Sequence, residues 1–327
     1  MTSALYESID WLKGCIYGYK FKDKVILFFY ILNATIILIF TFTIFGKDKF
    51  IEIYFHKNRL LNWLPFKSVT IKRDGIKLSL SMIMDQIVLV KSDWEKNERA
   101  FLNNLILEKK DDEQNNKNNN DYCIIDVGSN IGYYTILFAK RYPNHKIISI
   151  EASKEIFKDL KKNCNLNGIN SSKVRLINKA AFDIDNTQIE FYEIESMSTA
   201  QKDFFNNLPI PKNNNENNQL SNYYKQIVVE TITIDSIVHS ENIDNISLIK
   251  IDVEGAEILT LKGAIGTLQK KKIKMMMIEY HSLENYNYII KLLRELGYSI
   301  SYSSKHRPAI HKDPKYVNGH IISKLIE

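Results

Sequence analysis

Short apolar runs and helical patterns alternate along the chain from residue 121 onward. Five of these runs predict strands, and a helical pattern follows the first, second, fourth and fifth of them. The predicted strands are Tyr122–Val127, Lys146–Ile150, Val174–Ala180, Ile246–Ile251 and Lys274–Glu279. Two more strands, near Tyr298–Tyr302 and His320–Lys324, have no helix between them and are expected to form an antiparallel pair at one edge. The pattern therefore predicts an α/β fold with a mostly parallel sheet covered by helices on both faces.

The preceding residues show a different pattern, which predicts a smaller extension before the main domain. The run 68–90 alternates around an Asp-Gly pair, a sequence typical of a β-hairpin turn. An apolar stripe over 92–107 predicts a helix after the hairpin. We therefore expect a hairpin-and-helix extension at 68–110 and a main domain at 121–327.

The N-terminal segment, residues 1–60, contains an uncharged run of 21 residues, Val25–Phe45. As a helix, the run 25–45 would extend about 31 Å, enough to cross the hydrocarbon core of a bilayer. Lysines bracket it on both sides. We expect a membrane anchor here, with a fully buried helix or two buried strands as the alternative.

Composition and charge narrow the class of protein. Hydrophobic residues make up 45% and charged residues 25% of the chain, so a globular core is available. The net charge is only +6 and no dense basic block is present, which argues against nucleic acid as the main partner. Three scattered cysteines exclude a disulfide scaffold and a CxxC-type metal site. Two Asn-rich tracts, 111–121 and 212–218, predict solvated loops.

A glycine-containing turn follows the first predicted strand, in the sequence DVGSNIGYYT. Glycines allow a sharp turn and a close approach of the backbone to a ligand, and the following helix offers free N–H groups at its start. In parallel sheets, ligands bind at the carboxyl ends of the strands, where this turn lies. The candidate ligand-binding residues of the turn are Asp126, Gly128, Ser129, Asn130 and Gly132.

Glu151 closes the second predicted strand, 19 residues after Gly132. A carboxylate at this place can accept hydrogen bonds from both hydroxyls of a ribose. The turn lacks the middle glycine of the GxGxxG fingerprint, so a pyrophosphate fits poorly, whereas an acid at the strand end suits a cationic amino group. A ligand with a ribose and an ammonium group but no phosphates is S-adenosyl-L-methionine (SAM), which we predict as the cofactor. An NAD-dependent oxidoreductase is the remaining enzyme alternative.

Three carboxylates lie within six residues after the fourth predicted strand: Asp252, Glu254 and Glu257. Crowded carboxylates need a positive partner, such as SAM, Lys250 or a divalent ion. Acids also suit the start of a helix without any catalytic role. His281 follows the next strand and could titrate near neutral pH. We take Asp252, Glu254 and His281 as candidate catalytic residues and assign no metal ligand, although a carboxylate pair would suit Mg²⁺.

These motifs together resemble the FkbM-type family of class I SAM-dependent methyltransferases. The resemblance extends from about Val69 to Leu325 and rests on five motifs in order: DVGSNIGYYT, IEAS, TIDSI, KIDVEGAEILTLKGA and IEYH. It implies a seven-stranded, Rossmann-like methyltransferase sheet, in which Ala181 and Asp183 lie in the stretch that faces the adenine of SAM. The Asn-rich insertion at 212–222 and the N-terminal hydrophobic segment lie outside the family pattern.

The resemblance implies methylation of a hydroxyl group on a glycan, a glycolipid or another small molecule. We expect in-line methyl transfer with a carboxylate or histidine base. Two alternatives remain open: a methyltransferase that acts on protein or RNA, and a membrane-tethered SAM-binding protein without turnover. Because SAM and unpaired cysteines suit a reducing compartment, we expect a single-pass anchor with a cytosol-facing catalytic domain, or else a cytoplasmic protein.

Overall fold

The computed structural model divides into two compact units. The described residues up to Asn104 belong to the first unit, and those from Leu105 onward belong to the second. The structure describes residues 13–33, 36, 68–81, 88–91, 94–105, 107, 122–194, 197–199, 225–308 and 314–326.

The first unit contains a β-hairpin between helical segments. Its elements in chain order are a 3-10 helix (Gly14–Tyr17), helix α1 (21–33), strands β1 (Ser68–Arg73) and β2 (Ile76–Ser81), a second 3-10 helix (Val88–Val90) and helix α2 (Lys96–Asn104). The two strands pair antiparallel around the Asp-Gly turn, as the alternation predicts. The end of the alternating run forms the second 3-10 helix instead of continuing β2, and α2 is shorter than the predicted helix at 92–107.

Only part of the candidate membrane anchor falls on described residues. Residues 25–33 belong to α1, and residue 36 is also helical. Positions 34, 35 and 37–45 lie outside the described residues. Within the described part of the chain, no helix has both the length and the apolar character that a membrane crossing requires.

The second unit is built on a seven-stranded main path in the order β12-β14-β11-β10-β3-β4-β5, with a short strand β13 beside β14. These strands are β3 (Tyr122–Val127), β4 (Lys146–Ile150), β5 (Val174–Ile177), β10 (Asn245–Ile251), β11 (Met275–Tyr280), β12 (Tyr298–Ser303), β13 (Arg307–Pro308) and β14 (Val317–Leu325). Five neighbouring strands of this path are parallel, in the spatial order β11-β10-β3-β4-β5. Strand β14 pairs antiparallel with β11 and β12. The predicted α/β class, with a mostly parallel sheet and an antiparallel edge pair, is confirmed.

Helices cover the parallel strands and bury their apolar side chains. They are α3 (Tyr133–Arg141), α4 (Lys154–Leu166), α5 (Ile234–Ser240), α6 (Glu257–Lys262), α7 (Ile265–Gln269) and α8 (Leu283–Glu295). In β3 and in β10 every residue after the first is buried, which a strand needs when both faces of its sheet are covered. The predicted helices after the first, second, fourth and fifth parallel strands are therefore present.

A second, smaller sheet follows β5, and the sequence analysis did not predict it. It has the order β6-β9-β7-β8 and contains β6 (Ala180–Ala181), β7 (Gln188–Ile194), β8 (Met197–Thr199) and β9 (Lys225–Ile232). The single strand predicted at 174–180 is therefore split. At the break, the side-chain amide of Asn178 donates to the backbone oxygens of Glu151 and Ala152, and the chain beyond it pairs with β9 instead of β4. The predicted Asn-rich insertion at 212–222 lies outside the described residues.

Candidate functional site

A sharp turn after β3 forms one wall of a cleft. Gly128 has a φ angle of +73°, and a Cβ atom on it would lie 1.7 Å from the backbone oxygen of Asp252. Glycine fits here because the chain leaving β10 comes too close for any side chain. The N–H groups of Gly128 and Ser129 both donate to the backbone oxygen of Ile150 at 3.0 Å, which ties the turn to the end of β4.

The cleft opens at the carboxyl ends of β3, β4 and β10, where a parallel α/β sheet binds its ligands. The space between its walls, about 600 Å³ in all, opens to solvent. Its lining contains six of the predicted site residues, namely Gly128, Asn130, Glu151, Ala181, Asp252 and Glu254. The sequence therefore located the cleft.

Glu151 places its carboxylate on the cleft wall and holds the turn at the same time. Its Oε2 accepts a hydrogen bond from the N–H of Asn130 at 2.9 Å, and its Oε1 accepts one from the N–H of Ser153 at 2.8 Å. Burial raises the pKa of Glu151 to about 7, against the lowering effect of these two N–H donors. Asn130 itself has a φ angle of +48°, so the turn is strained beside the carboxylate.

Two predicted turn residues have structural partners instead of a place on the cleft wall. The hydroxyl of Ser129 donates to the backbone oxygen of Ile150 at 3.0 Å. Gly132 has a φ angle of +93° and begins α3 where a Cβ atom would lie 2.6 Å from the side chain of Leu160. Both residues therefore shape the turn from behind.

Asp126 lies beneath the turn and is fully buried, so it does not line the cleft. Its Oδ2 accepts a hydrogen bond from the hydroxyl of Thr135 at 2.6 Å. Its Oδ1 has no hydrogen-bond partner among the residues that the structure describes. Burial raises the pKa of Asp126, while the nearby Lys250 acts to lower it. A direct contact between Asp126 and a cofactor amino group, as the sequence suggested, is not what this position favours.

Lys250 lies between the buried aspartate and the cleft. Its Nζ lies 3.1 Å from Oδ2 of Asp252 and 4.8 Å from the centre of the Tyr134 ring. Only 5% of the Lys250 side chain is exposed. A buried ammonium group requires charge partners, and the carboxylates of Asp126 and Asp252 supply them. The ion pair with Asp252 therefore holds the Lys250 ammonium group in place beside the cleft.

Glu254 and His281 meet at the other side of the cleft. Nε2 of His281 lies 3.3 Å from Oε2 of Glu254 and 3.9 Å from Oδ1 of Asp252. The side chain of Glu254 is 29% exposed and lines the cleft, whereas that of His281 is 3% exposed and does not. Of the three predicted catalytic residues, the two carboxylates therefore reach the cleft and the histidine supports them from behind.

Burial and charge shift the proton equilibria of this pair. Desolvation raises the pKa of Glu254 to about 8, although His281 acts to lower it. Desolvation would lower the pKa of His281, but the carboxylates of Glu254 and Glu257 outweigh it and raise that pKa well above 6.5. His281 is therefore held as a cation, while burial favours the protonated form of Glu254.

Glu257, whose role the sequence left open, is completely buried behind His281. Its Oε1 lies 2.8 Å from Nδ1 of His281 and accepts a hydrogen bond from the N–H of Gly255 at 2.9 Å. Its Oε2 accepts a hydrogen bond from the side-chain amide of Asn285. Burial of a carboxylate is costly unless donors surround it, and here each oxygen has at least one.

A further carboxylate, Glu279, lies at the end of β11 beside His320. The Oε2 of Glu279 lies 3.1 Å from Nε2 of His320. Burial would raise the pKa of Glu279, but His320 outweighs it and lowers that pKa to about 2. Ligand-type atoms of Glu279, Asp252 and His281 lie within 4.8 Å of one another. Because Lys250 already pairs with Asp252 and His320 with Glu279, we assign no metal to this cluster.

The side of the cleft that Ala181 lines contains residues that the sequence analysis missed. Phe182, Phe191 and Lys179 line it together with the predicted Ala181. Phe191 belongs to β7 of the unpredicted small sheet, so no local signal could have placed it here. Asp183, in contrast, is exposed and lies outside the lining.

The TIDSI motif caps two helices and does not line the cleft. Asp235 accepts hydrogen bonds from the N–H groups of Gly266 at 2.9 Å and Thr267 at 2.7 Å, which caps the start of α7. Thr233 caps α5 by accepting a hydrogen bond from the N–H of Ser236 at 3.0 Å. The motif therefore joins two helices beside the main sheet.

Comparison with known proteins gives related sequences and similar structures. Methyltransferase 1 of Beauveria bassiana (strain ARSEF 2860) is 26% identical over 153 residues, which cover 44% of this chain and 59% of that protein. The chain thus matches about three fifths of its curated relative. M. jannaschii TYW2 in complex with AdoMet has a TM-score of 0.39 at 15% identity, covering 81% of this chain and 89% of its own. A human methyltransferase 10 domain containing protein has a TM-score of 0.38 at 9% identity, and the match covers 77% of this chain and 90% of that protein.

The family model described as "Methyltransferase FkbM domain" matches residues 126–300, just over half of the chain. The match begins at the acid before the glycine turn and ends within β12, so it includes the whole cleft described above. It confirms the resemblance that the five sequence motifs indicated. The chain belongs to the FkbM methyltransferase family.

Proposed function

We propose that the protein is a SAM-dependent methyltransferase that methylates a hydroxyl group on a glycan, a glycolipid or another small molecule. The observation that carries the proposal is the cleft, which two carboxylates line: Glu151, placed to bind a ribose, and Glu254, whose pKa burial raises to about 8. SAM is the methyl donor that the FkbM family uses.

The residues present fit SAM. Gly128 and Asn130 line the cleft, so the backbone of the turn faces the space that the methionine part would take. Glu151 offers carboxylate lone pairs to the ribose hydroxyls. Phe182 and Phe191 offer aromatic faces beside the small Ala181, which suits a flat adenine ring. When bound, SAM supplies a methyl group that an acceptor oxygen takes in an in-line displacement.

Glu254 is the residue we assign as general base. A hydroxyl is a poor nucleophile at neutral pH, and a base with a pKa near the working pH contributes typically 10²–10⁴-fold to such a transfer. Glu254 lines the cleft, titrates near pH 8 and has a strained φ angle of +49°. Strained backbone persists where the surrounding structure enforces it, which is common at functional sites. The acceptor O–H bond breaks and its proton moves to Glu254.

Asp252 and His281 support the reaction in different ways. Asp252 lines the cleft beside Lys250, so it is positioned to accept a hydrogen bond from the acceptor or from the amino group of SAM. His281 is a buried cation, and we assign it to stabilising the ionised form of Glu254 instead of acting as the base itself. Asp126 holds the turn through Thr135 and Lys250 from below.

Calorimetry on the full-length protein tests the cofactor, and a labelled methyl group tests the reaction. We expect SAM to bind wild type, and we expect the Glu151→Ala variant to bind it at least tenfold more weakly. Transfer from methyl-labelled SAM to a panel of sugars, glycolipids and hydroxylated small molecules should then give an alkali-stable ether. Label found in protein or RNA instead would show that the acceptor is a macromolecule and not a glycan or small molecule. SAM binding without transfer to any class would favour a SAM-binding protein without turnover.

A further inference from the structure

We propose that Glu257 is a positioning residue for methyl transfer: its buried carboxylate fixes the His281 imidazole so that Nε2 faces Glu254 on the cleft wall. The inference rests on the proposed function, because the ionisation of Glu254 matters only if an acceptor proton leaves there. Glu257 does not line the cleft and touches no ligand space. It acts through His281.

The contacts of Glu257 leave the imidazole ring no freedom to turn. Nδ1 of His281 lies 2.8 Å from Oε1 of Glu257, and the ring is 3% exposed. Once Nδ1 donates to this oxygen, the ring plane and the direction of Nε2 are fixed. Nε2 then lies 3.3 Å from Oε2 of Glu254. A carboxylate that orients a histidine from behind is a common device for fixing which ring nitrogen faces the reaction.

The loop that carries Glu254 is held by the same group. Glu257 accepts from the N–H of Gly255 at 2.9 Å, and the side-chain amide of Asn285 donates to the backbone oxygen of Gly255 at 3.1 Å. Both polar groups of the residue next to Glu254 are therefore bound. This attachment explains how Glu254 keeps its φ angle of +49° in a loop between β10 and α6.

The hydrogen bonds of Glu257 use both of its carboxylate oxygens as acceptors. A glutamine could accept from Gly255 and His281 through its one oxygen, but its NH2 group would face the side-chain amide of Asn285, which donates to Oε2 of Glu257. A fully buried carboxylate also costs free energy unless a cation pairs with it. The imidazolium of His281 is the cation in direct contact, so the charge of Glu257 is explained by the charge it maintains on His281.

The charge on His281 in turn decides the state of Glu254. The charged groups that face the pair from the packed elements are the carboxylates of Asp252, Glu257 and Glu279. Lys250 pairs with Asp252, and His320 pairs with Glu279. The carboxylates among them favour the protonated form of Glu254, and His281 opposes them. If His281 became neutral, Glu254 would hold its proton more tightly and could not accept another.

Nitrogen NMR of full-length protein with ¹⁵N-labelled histidine tests the proposal without any acceptor. The His281 signal is assigned from its loss in a His281→Asn variant. In wild type we expect His281 to remain protonated above pH 7. In Glu257→Gln we expect its titration midpoint to fall by at least one pH unit, a tenfold rise in the acid dissociation constant. Glu257→Asp keeps the charge, so its His281 midpoint should lie close to that of wild type.

Glu241→Gln is the matched control, because Glu241 makes ion pairs with Lys146 and Arg175 at the amino-terminal end of β4 and β5, away from the cleft. We expect it to leave the His281 titration unchanged. A His281 that titrates below pH 7 in wild type, or one that Glu257→Gln does not move, would overturn the proposal. A wild-type midpoint below pH 7 overturns the proposal even if the glutamine variant fails to fold.

SAM calorimetry on the same samples separates this inference from the proposed function. Loss of SAM binding in folded wild type would remove the proposed function, whatever His281 does. Normal SAM binding with an unmoved His281 would remove only the role of Glu257. We expect Glu257→Gln to bind SAM within about threefold of wild type, because Glu257 lies behind the cleft wall.

Discussion

Substitution of alanine for Gly128 tests whether the close approach of two strand ends shapes the cofactor cleft. The new Cβ atom would lie 1.7 Å from the backbone oxygen of Asp252, whereas real Cβ atoms essentially never come within 3.0 Å of another heavy atom. The obstacle is backbone, so no side-chain rotation can relieve it. Either the glycine turn or the chain leaving β10 must move.

The structure allows the cost to be separated into two parts. The first is the φ angle of +73°, which costs an alanine roughly 1–2 kcal/mol in the left-handed region. The second is the overlap itself, and overpacking of this kind typically costs about 1–3 kcal/mol. We therefore expect Gly128→Ala to lower the free energy of unfolding by about 2–5 kcal/mol, and the melting temperature by roughly 5–15 °C.

Gly168 provides the matched control. Its φ angle is +69°, nearly that of Gly128, but a Cβ atom on it would meet nothing within 4 Å. Gly168→Ala should therefore show the backbone cost alone. Thermal unfolding followed by circular dichroism measures both variants, and calorimetry measures SAM binding. We expect only Gly128→Ala to weaken SAM binding, by at least tenfold. Equal melting temperatures and equal SAM affinities in the two variants would refute this account of the turn.

Three further predictions address single groups. Glu151→Gln should weaken SAM binding about tenfold in calorimetry because a glutamine has one acceptor oxygen, whereas the exposed Asp183→Asn should not change it; equal effects would contradict the assigned ribose contact. The rate of methyl transfer should rise with pH through a midpoint near 8, because Glu254 must lose its proton to act as base. The His281→Asn variant should move this rise to higher pH, and a flat profile over pH 6–9 would exclude Glu254. Asp235→Ala should lower the free energy of unfolding by about 1–2 kcal/mol through loss of a helix cap while SAM affinity stays unchanged; a large loss of affinity would place the TIDSI motif in the site.

Local patterns predicted the main sheet well. The bounds expected for β3 and β4 match the structure at both ends, and β10 and β11 match to within one residue. Parallel strands buried on both faces are continuous apolar runs, so the signal lies within each segment. The split between β5 and β6 was not predicted, because β6 pairs with the distant strand β9 and no local pattern indicates that pairing.

The small sheet was missed for a different reason. Strands β7 and β9 pair residue by residue, with Gln188 opposite Glu230, yet they are separated in the chain by the Asn-rich tract. A pairing between such distant segments leaves no periodic signal in either one. For the same reason Phe191 was not recognised as a cleft residue.

The amino-acid sequence by itself determined the fold class, the family and the position of the cleft. Asp126 lies at the end of a predicted strand, the glycine at 128 and the acids at 151, 252 and 254 follow predicted strands, and the ends of parallel strands must meet at one edge of the sheet. Only the tertiary structure decided which side chains face the ligand space. It placed Asp126 beneath the turn and His281 behind Glu254. It also brought Glu257 and His281, 24 positions apart, into contact. Side-chain direction depends on packing between β10, β11 and the helices that cover them, and that packing is a property of the folded chain.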